Sequence, residues 1–166
     1  MKKNIIGITV AVIALSAAIF IARPDSSVNT ASLPVNNMMG TLIVSGEKNY
    51  SFGSISMARG VVKRQFKIKN DSDKAVIIRK MYTSCMCTTA TLMKGSEQFG
   101  PFSMPGHGFV PTINQIMGSG EEAVVEVVFD PAAHGPAGVG RIERAIILET
   151  DSGKPLELLF NATVTP

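Results

Sequence analysis

The chain has 166 residues, with 16 Lys and Arg against 13 Asp and Glu, a net charge of +3, nine methionines, two histidines and two cysteines. Three of the basic residues, Lys2, Lys3 and Arg23, flank one N-terminal apolar run; removing them from the 16 leaves 13 basic residues against 13 acidic ones. A neutral remainder argues against nucleic acid as a partner.

The apolar run covers residues 5–22 without a charge, the length one bilayer-spanning helix requires. Its small residues Ser16, Ala17 and Ala18 lie inside the run and bulky Phe20 and Ile21 follow, which argues against a cleavage site of the A-x-A kind. Residues 1–23 are therefore expected to be an uncleaved membrane anchor, with a cleaved signal sequence as the alternative. Lys2 and Lys3 keep the N-terminal flank in the cytoplasm. The rest is expected outside it, in the periplasm or at the cell surface, with the membrane reached through the N-terminal helix.

Residues 24–40, PDSSVNTASLPVNNMMG, show no period of 2 or 3.6 and read as a flexible linker. Residues 41–166 are long enough for one domain with its own core. Segments rich in β-branched and aromatic residues recur at 41–46, 50–56, 61–70, 75–82, 121–130, 141–150 and 156–164. About seven short strands separated by Gly, Pro, Asn and Asp predict an all-β sandwich. In 61–70, Val62, Phe66 and Ile68 fall on one face and Lys63, Gln65, Lys67 and Lys69 on the other, while Arg64 interrupts the apolar face. NDSD at 70–73 and DSGK at 151–154 carry the Asx and Gly chemistry of tight turns. The basic excess around residues 59–80 reads as a solvated strand face.

Five motifs carry a resemblance: FGSI at 52–55, FKIKN at 66–70, SCMCT at 84–88, GEEAVVEVVFDP at 120–131 and a closing A-x-V at 162–164. Together they resemble the bacterial domain-of-unknown-function family 1573, itself similar to the immunoglobulin-like sandwich of the ASH and major-sperm-protein group. The resemblance covers residues 41–164 and implies an immunoglobulin-like antiparallel β-sandwich; it implies no activity. Met86 stands where glycine is common, and residues 92–119 form an extra segment, expected as an inserted loop.

The only two cysteines, Cys85 and Cys87, are one residue apart. On an extended strand they would face the same way with Cα atoms roughly 6.5–7 Å apart, at the upper edge of what a disulfide bridges, and a bend at Met86 would shorten the gap. Two such thiols can chelate a soft cation, form a reducible disulfide or serve as small buried hydrophobes. Both histidines stand before glycine in loops, His107 in SMPGHG and His134 in AAHGPAG. If the NDSD and DSGK turns lie at one end of the sandwich, the cysteine pair and His134 share the other. The 92–119 segment starts beside the pair and can bring Met104 and His107 over it. Cys, His and Met are the ligand set of Cu(I), and two Cys with two His would also suit tetrahedral zinc, the second choice. No ligand loop of the cupredoxin kind follows either cysteine.

No enzyme signature appears: the carboxylates are scattered, no nucleophile elbow forms, and a Cys87–His134 pair would lack a third group to orient the histidine. Two functions are left in contention. One is a membrane-anchored, extracytoplasmic Cu(I)-binding domain. The other is a non-catalytic interaction or structural module for an envelope protein partner, with its thiols oxidised or buried.

Overall fold

A computed structural model of the chain describes residues 40–106 and 110–166. The anchor expected at 1–23, nearly all of the 24–40 linker, and His107 lie outside the described residues. Among the described residues, no helix is long and apolar enough to cross a membrane.

In chain order the strands are β1 (Leu42–Val44), β2 (Asn49–Ser56), β3 (Val62–Asn70), β4 (Val76–Thr83), β5 (Thr88–Lys94), β6 (Glu97–Phe102), β7 (Gln115–Met117), β8 (Glu122–Phe129), β9 (Gly140–Thr150) and β10 (Leu156–Thr165). They form two five-stranded sheets, ordered β1-β3-β8-β5-β6 and β2-β10-β9-β4-β7. The seven segments read from sequence are β1 to β4 and β8 to β10. The other three strands come from 88–117, so part of the supposed inserted loop is sheet. β6 contains Gly100 and Pro101, and β7 has three residues; each closes the edge of a sheet, where a proline and a short ladder are tolerated.

One pairing departs from the antiparallel expectation. β2 runs parallel to β10, with Tyr50 opposite Phe160 and Ile55 opposite Val164. β1 and β2 run in the same sense because residues 45–48 carry the chain from one sheet to the other instead of reversing it. β2 then takes the edge that the β9–β10 hairpin leaves free.

The core follows from alternation. β8 buries Ala123, Val125, Val127 and Phe129, while β10 buries Leu158, Phe160, Ala162 and Val164. Phe129 and Phe160 meet between the sheets with ring centroids 5.3 Å apart. In β4 the register shifts between Ile78 and Lys80, so Met81 turns inward three residues after Ile78. Arg64, which interrupts the apolar face of β3, lies with its guanidinium 4.0 Å from the centre of the Tyr50 ring. A guanidinium over an aromatic face keeps its charge while covering apolar surface.

Asn70 closes the end formed by the β3–β4 and β7–β8 connections. Its fully buried Nδ2 lies 2.7, 2.9 and 3.0 Å from the carbonyl oxygens of Lys74, Met117 and Gly118. Its Oδ1 accepts from the Ser72 backbone N–H and hydroxyl. The β4–β5 turn, the loop between β8 and β9, and the end of β10 lie at the opposite rim. That turn also carries the chain between sheets, since β4 belongs to one and β5 to the other.

Candidate functional site

Residues 84–87 connect Thr83 to Thr88 and hold both cysteines in a turn, not on a strand. The turn is fixed from inside by polar contacts. The Thr88 N–H donates to the Cys85 carbonyl at 3.1 Å. The fully buried Thr83 hydroxyl lies 3.0 Å from the carbonyl oxygens of both Cys85 and Thr88. Neighbouring strands clamp it from outside: the Ser84 N–H donates to Ala145, the Ala145 N–H to the Ser84 hydroxyl, and the Asp130 N–H to the Cys87 carbonyl. The bend brings the two Cα atoms to 5.2 Å, inside the range a disulfide spans, and the sulfurs are bonded to each other. Of the two geometries read from sequence, the pair adopts the bend at Met86 and not the extended spacing. Both cysteines are buried, and Met86 between them is 47% exposed.

His134 comes from the loop after β8. The Ala132 N–H donates to the Asp130 carboxylate at 2.8 Å and the Gly135 N–H to the Ala132 carbonyl at 2.8 Å, which folds the loop back over the rim. Gly135 has φ +55°, and a short 3-10 helix, Gly135–Gly138, follows. A Cβ on Gly138 would lie 3.2 Å from the His134 Cβ and 3.5 Å from the Met57 Cε, so the absence of a side chain there lets the histidine settle. His134 is exposed, and its Nε2 lies 3.2 Å from the Cys85 sulfur.

The Cys85 and Cys87 sulfurs and the His134 ring offer ligand atoms all within 4.8 Å of one another. The two turns read from sequence therefore placed pair and histidine at one end correctly. Met104 is half-buried two residues beyond β6, where the Thr83 N–H donates to the preceding Ser103 carbonyl. That brings Met104 to the same rim from the β6 side.

Sequence reading missed Arg144. From β9 its Nε donates to the Cys87 sulfur at 3.4 Å, and its Nη1 donates to the Glu143 carbonyl at 2.8 Å. The Thr88 hydroxyl is 3.6 Å from the same sulfur. A signal was present: Arg144 shares its parity with Ile142, Ile146 and Leu148, the inward side of β9. The two sulfurs consequently have different surroundings, an exposed imidazole at Cys85 and a guanidinium at Cys87.

The fold and rim define a class, a two-sheet all-β domain with a C-x-C turn at one end. Residues 43–100 match the family described as Protein of unknown function (DUF1573), the family to which the motifs pointed. None of the curated proteins matches the chain. Among solved structures, a protein of unknown function from Porphyromonas gingivalis W83 is similar over 75% of this chain and 46% of its own, with a TM-score of 0.52 and 12% identity. A family 123 glycoside hydrolase from Clostridium perfringens is similar over 75% of this chain and 27% of its own, with a TM-score of 0.51 and 9% identity. An ASH/PapD-like domain of human CEP192 aligns over 77% of this chain and 86% of its own, with a TM-score of 0.43 and 11% identity. The chain spans under half of the Porphyromonas gingivalis protein and about a quarter of the hydrolase. At these identities the likeness is one of fold.

Proposed function

We propose that the reduced pair Cys85 and Cys87, with His134, binds one Cu(I) ion in an immunoglobulin-like domain held outside the cytoplasm by an anchor at residues 1–23. The observation that supports this reading is the gathering of three soft donors within 4.8 Å on a turn clamped by β8, β9 and the Thr83 hydroxyl. Thiolates select soft ions, and imidazole completes a set that Cu(I) accepts. Two thiolates around Cu(I) leave one net negative charge, which the Arg144 guanidinium beside Cys87 offsets. Zinc remains the second choice, because it asks for a fourth ligand. Met104 and His107 are the proposed accessory donors. Binding requires the sulfur–sulfur bond to be reduced, since a disulfide offers no thiolate.

The bonded sulfurs favour a second reading, in which the disulfide is the working form. The domain is then a non-catalytic module that presents its loops and edge strands to an envelope protein.

Copper retention by the reduced full chain against a competing chelator separates the two. The metal reading expects about one ion retained, abolition in Cys85→Ser and Cys87→Ser, and weaker retention in His134→Ala, since a hydroxyl is a poor ligand for a soft ion. Equal, negligible copper in the reduced wild type and in Cys85→Ser ends the metal reading. A mass loss of two hydrogens on oxidation, absent from Cys85→Ser, then leaves the interaction module standing.

A further inference from the structure

Arg144 is not a metal ligand, yet it is the group aimed at Cys87, and the unlike surroundings of the two sulfurs have a chemical meaning of their own. We propose that Cys85 and Cys87 form a redox couple that accepts two electrons from an external dithiol, with Cys85 the sulfur attacked and Cys87 the leaving group. This goes beyond metal binding and does not depend on it.

The direction follows from access and from where negative charge can be held. Cys85 is 8% exposed, beside an exposed imidazole; Cys87 is 3% exposed, in contact with Arg144 and Thr88. In thiol–disulfide exchange the attacking, central and leaving sulfurs approach a line, and rates depend on which sulfur can be reached and how well the leaving one bears charge. An external thiolate reaching Cys85 from solvent points the breaking bond at Cys87, and the displaced electron pair comes to rest on a sulfur that already accepts a hydrogen bond from a guanidinium. Attack on Cys87 would meet a sulfur already in contact with Arg144, and would release Cys85 beside the Cys87 N–H and the His134 ring but with no guanidinium.

The steps balance. The first thiolate of the dithiol bonds to the Cys85 sulfur, the Cys85 to Cys87 bond breaks, and Cys87 leaves as a thiolate. The second thiolate of the dithiol then attacks its own partner sulfur in the mixed disulfide. Cys85 leaves as a thiolate 3.2 Å from the His134 ring, whose Nε2–H tautomer donates to it. The external dithiol is oxidised to a disulfide, the protein pair is reduced by two electrons, and the two protons of the dithiol pass to solvent or to the released thiolates. The product is the reduced pair that a soft ion requires.

The test uses the oxidised full chain, stripped of metal by a chelator and treated with glutathione, with acid quenching at early times. Fragmentation on either side of Met86 locates the adduct. The expected result is glutathione on Cys85, with adduct formation slowed about tenfold or more in Arg144→Gln and largely restored in Arg144→Lys, because the effect lies in the charge facing the leaving sulfur. Adduct divided equally between the cysteines, adduct on Cys87, no adduct at all, or an unchanged rate in Arg144→Gln overturns the proposal. If Arg144→Gln fails to fold, the position of the adduct in the wild type still decides. Copper retention by the reduced chain is a separate measurement, so either reading can fail while the other stands.

Discussion

Asn70 does the work of several residues at the end remote from the cysteines. One side chain supplies the hydrogen-bond donors for three carbonyl groups on two connections, and its own carbonyl oxygen organises Ser72. Its backbone joins the same cluster, donating to Glu121 and accepting from Gly120. Asn70→Ala would take away the buried donor at the Met117 carbonyl oxygen, while the Lys74 and Gly118 oxygens keep the Ser72 hydroxyl and the Glu121 N–H, and losing a buried partner costs about 1–3 kcal/mol. The expected outcome is a loss of that order in denaturant unfolding, with copper retention and glutathione exchange unchanged in the folded variant. Asn70→Asp should cost at least as much, because a carboxylate would face those three carbonyl oxygens with no proton to offer. At the other rim Thr83 plays the smaller counterpart, one hydroxyl holding the cysteine turn from beneath.

Among the elements, β6 shows how an edge strand is fitted to its neighbour. Gly100 has φ +124°, and a Cβ there would lie 2.9 Å from the Ala90 carbonyl oxygen on β5. Gly100→Ala combines an unfavourable backbone with a backbone clash, and an overpacked site typically costs about 1–3 kcal/mol. A lowered melting temperature, with amide exchange quickened first along β5 and β6, is the expected readout. The same strand explains what sequence reading lost. Seven strands were legible because β-branched residues alternate in them over a full buried face. β5, TTATLMK, dilutes that pattern with threonine, β6 breaks it with Gly-Pro, and β7 is too short to have a period. The parallel partner of β2 was hidden for another reason: strand pairing is decided by which edge is free after the rest has assembled, and no local residue encodes it. At the rim, the two tight turns were enough to bring Cys85, Cys87 and His134 together. A bend between the cysteines was one of two readings; the contacts that decide for it were not legible, because Thr83, Ala145 and Asp130 are distant in sequence or unremarkable in it. Arg144 could have been found by asking why a charge sits on the inward parity of β9.

Across the whole molecule, cohesion comes from the apolar layer between the sheets, in which Ile68, Ile78, Leu92, Val125, Ile146, Leu158 and Phe160 are all fully or almost fully buried. The bond between Cys85 and Cys87 adds little to it. It closes a loop with a sequence separation of 2 inside a turn whose backbone already links the sheets. In the chain-entropy account, so short a loop is worth only about 1–2 kcal/mol. Reduction should therefore lower the stability by no more than that and leave the β-rich far-UV spectrum unchanged. A domain that unfolds on reduction would show that the bond is structural, against both proposals. There is also a matter of placement. The described chain enters at Gly40, packed against Ser72, Lys74 and Val76 at the Asn70 end, whereas the sulfurs lie beyond the far end of β4. The nine residues of β3 set these two ends about 30 Å apart. The Cys85–Cys87 rim therefore stands at the end of the sandwich opposite the one at which the described chain enters, so a group that meets the domain at the sulfur end is separated from that entry point by the full length of the strands.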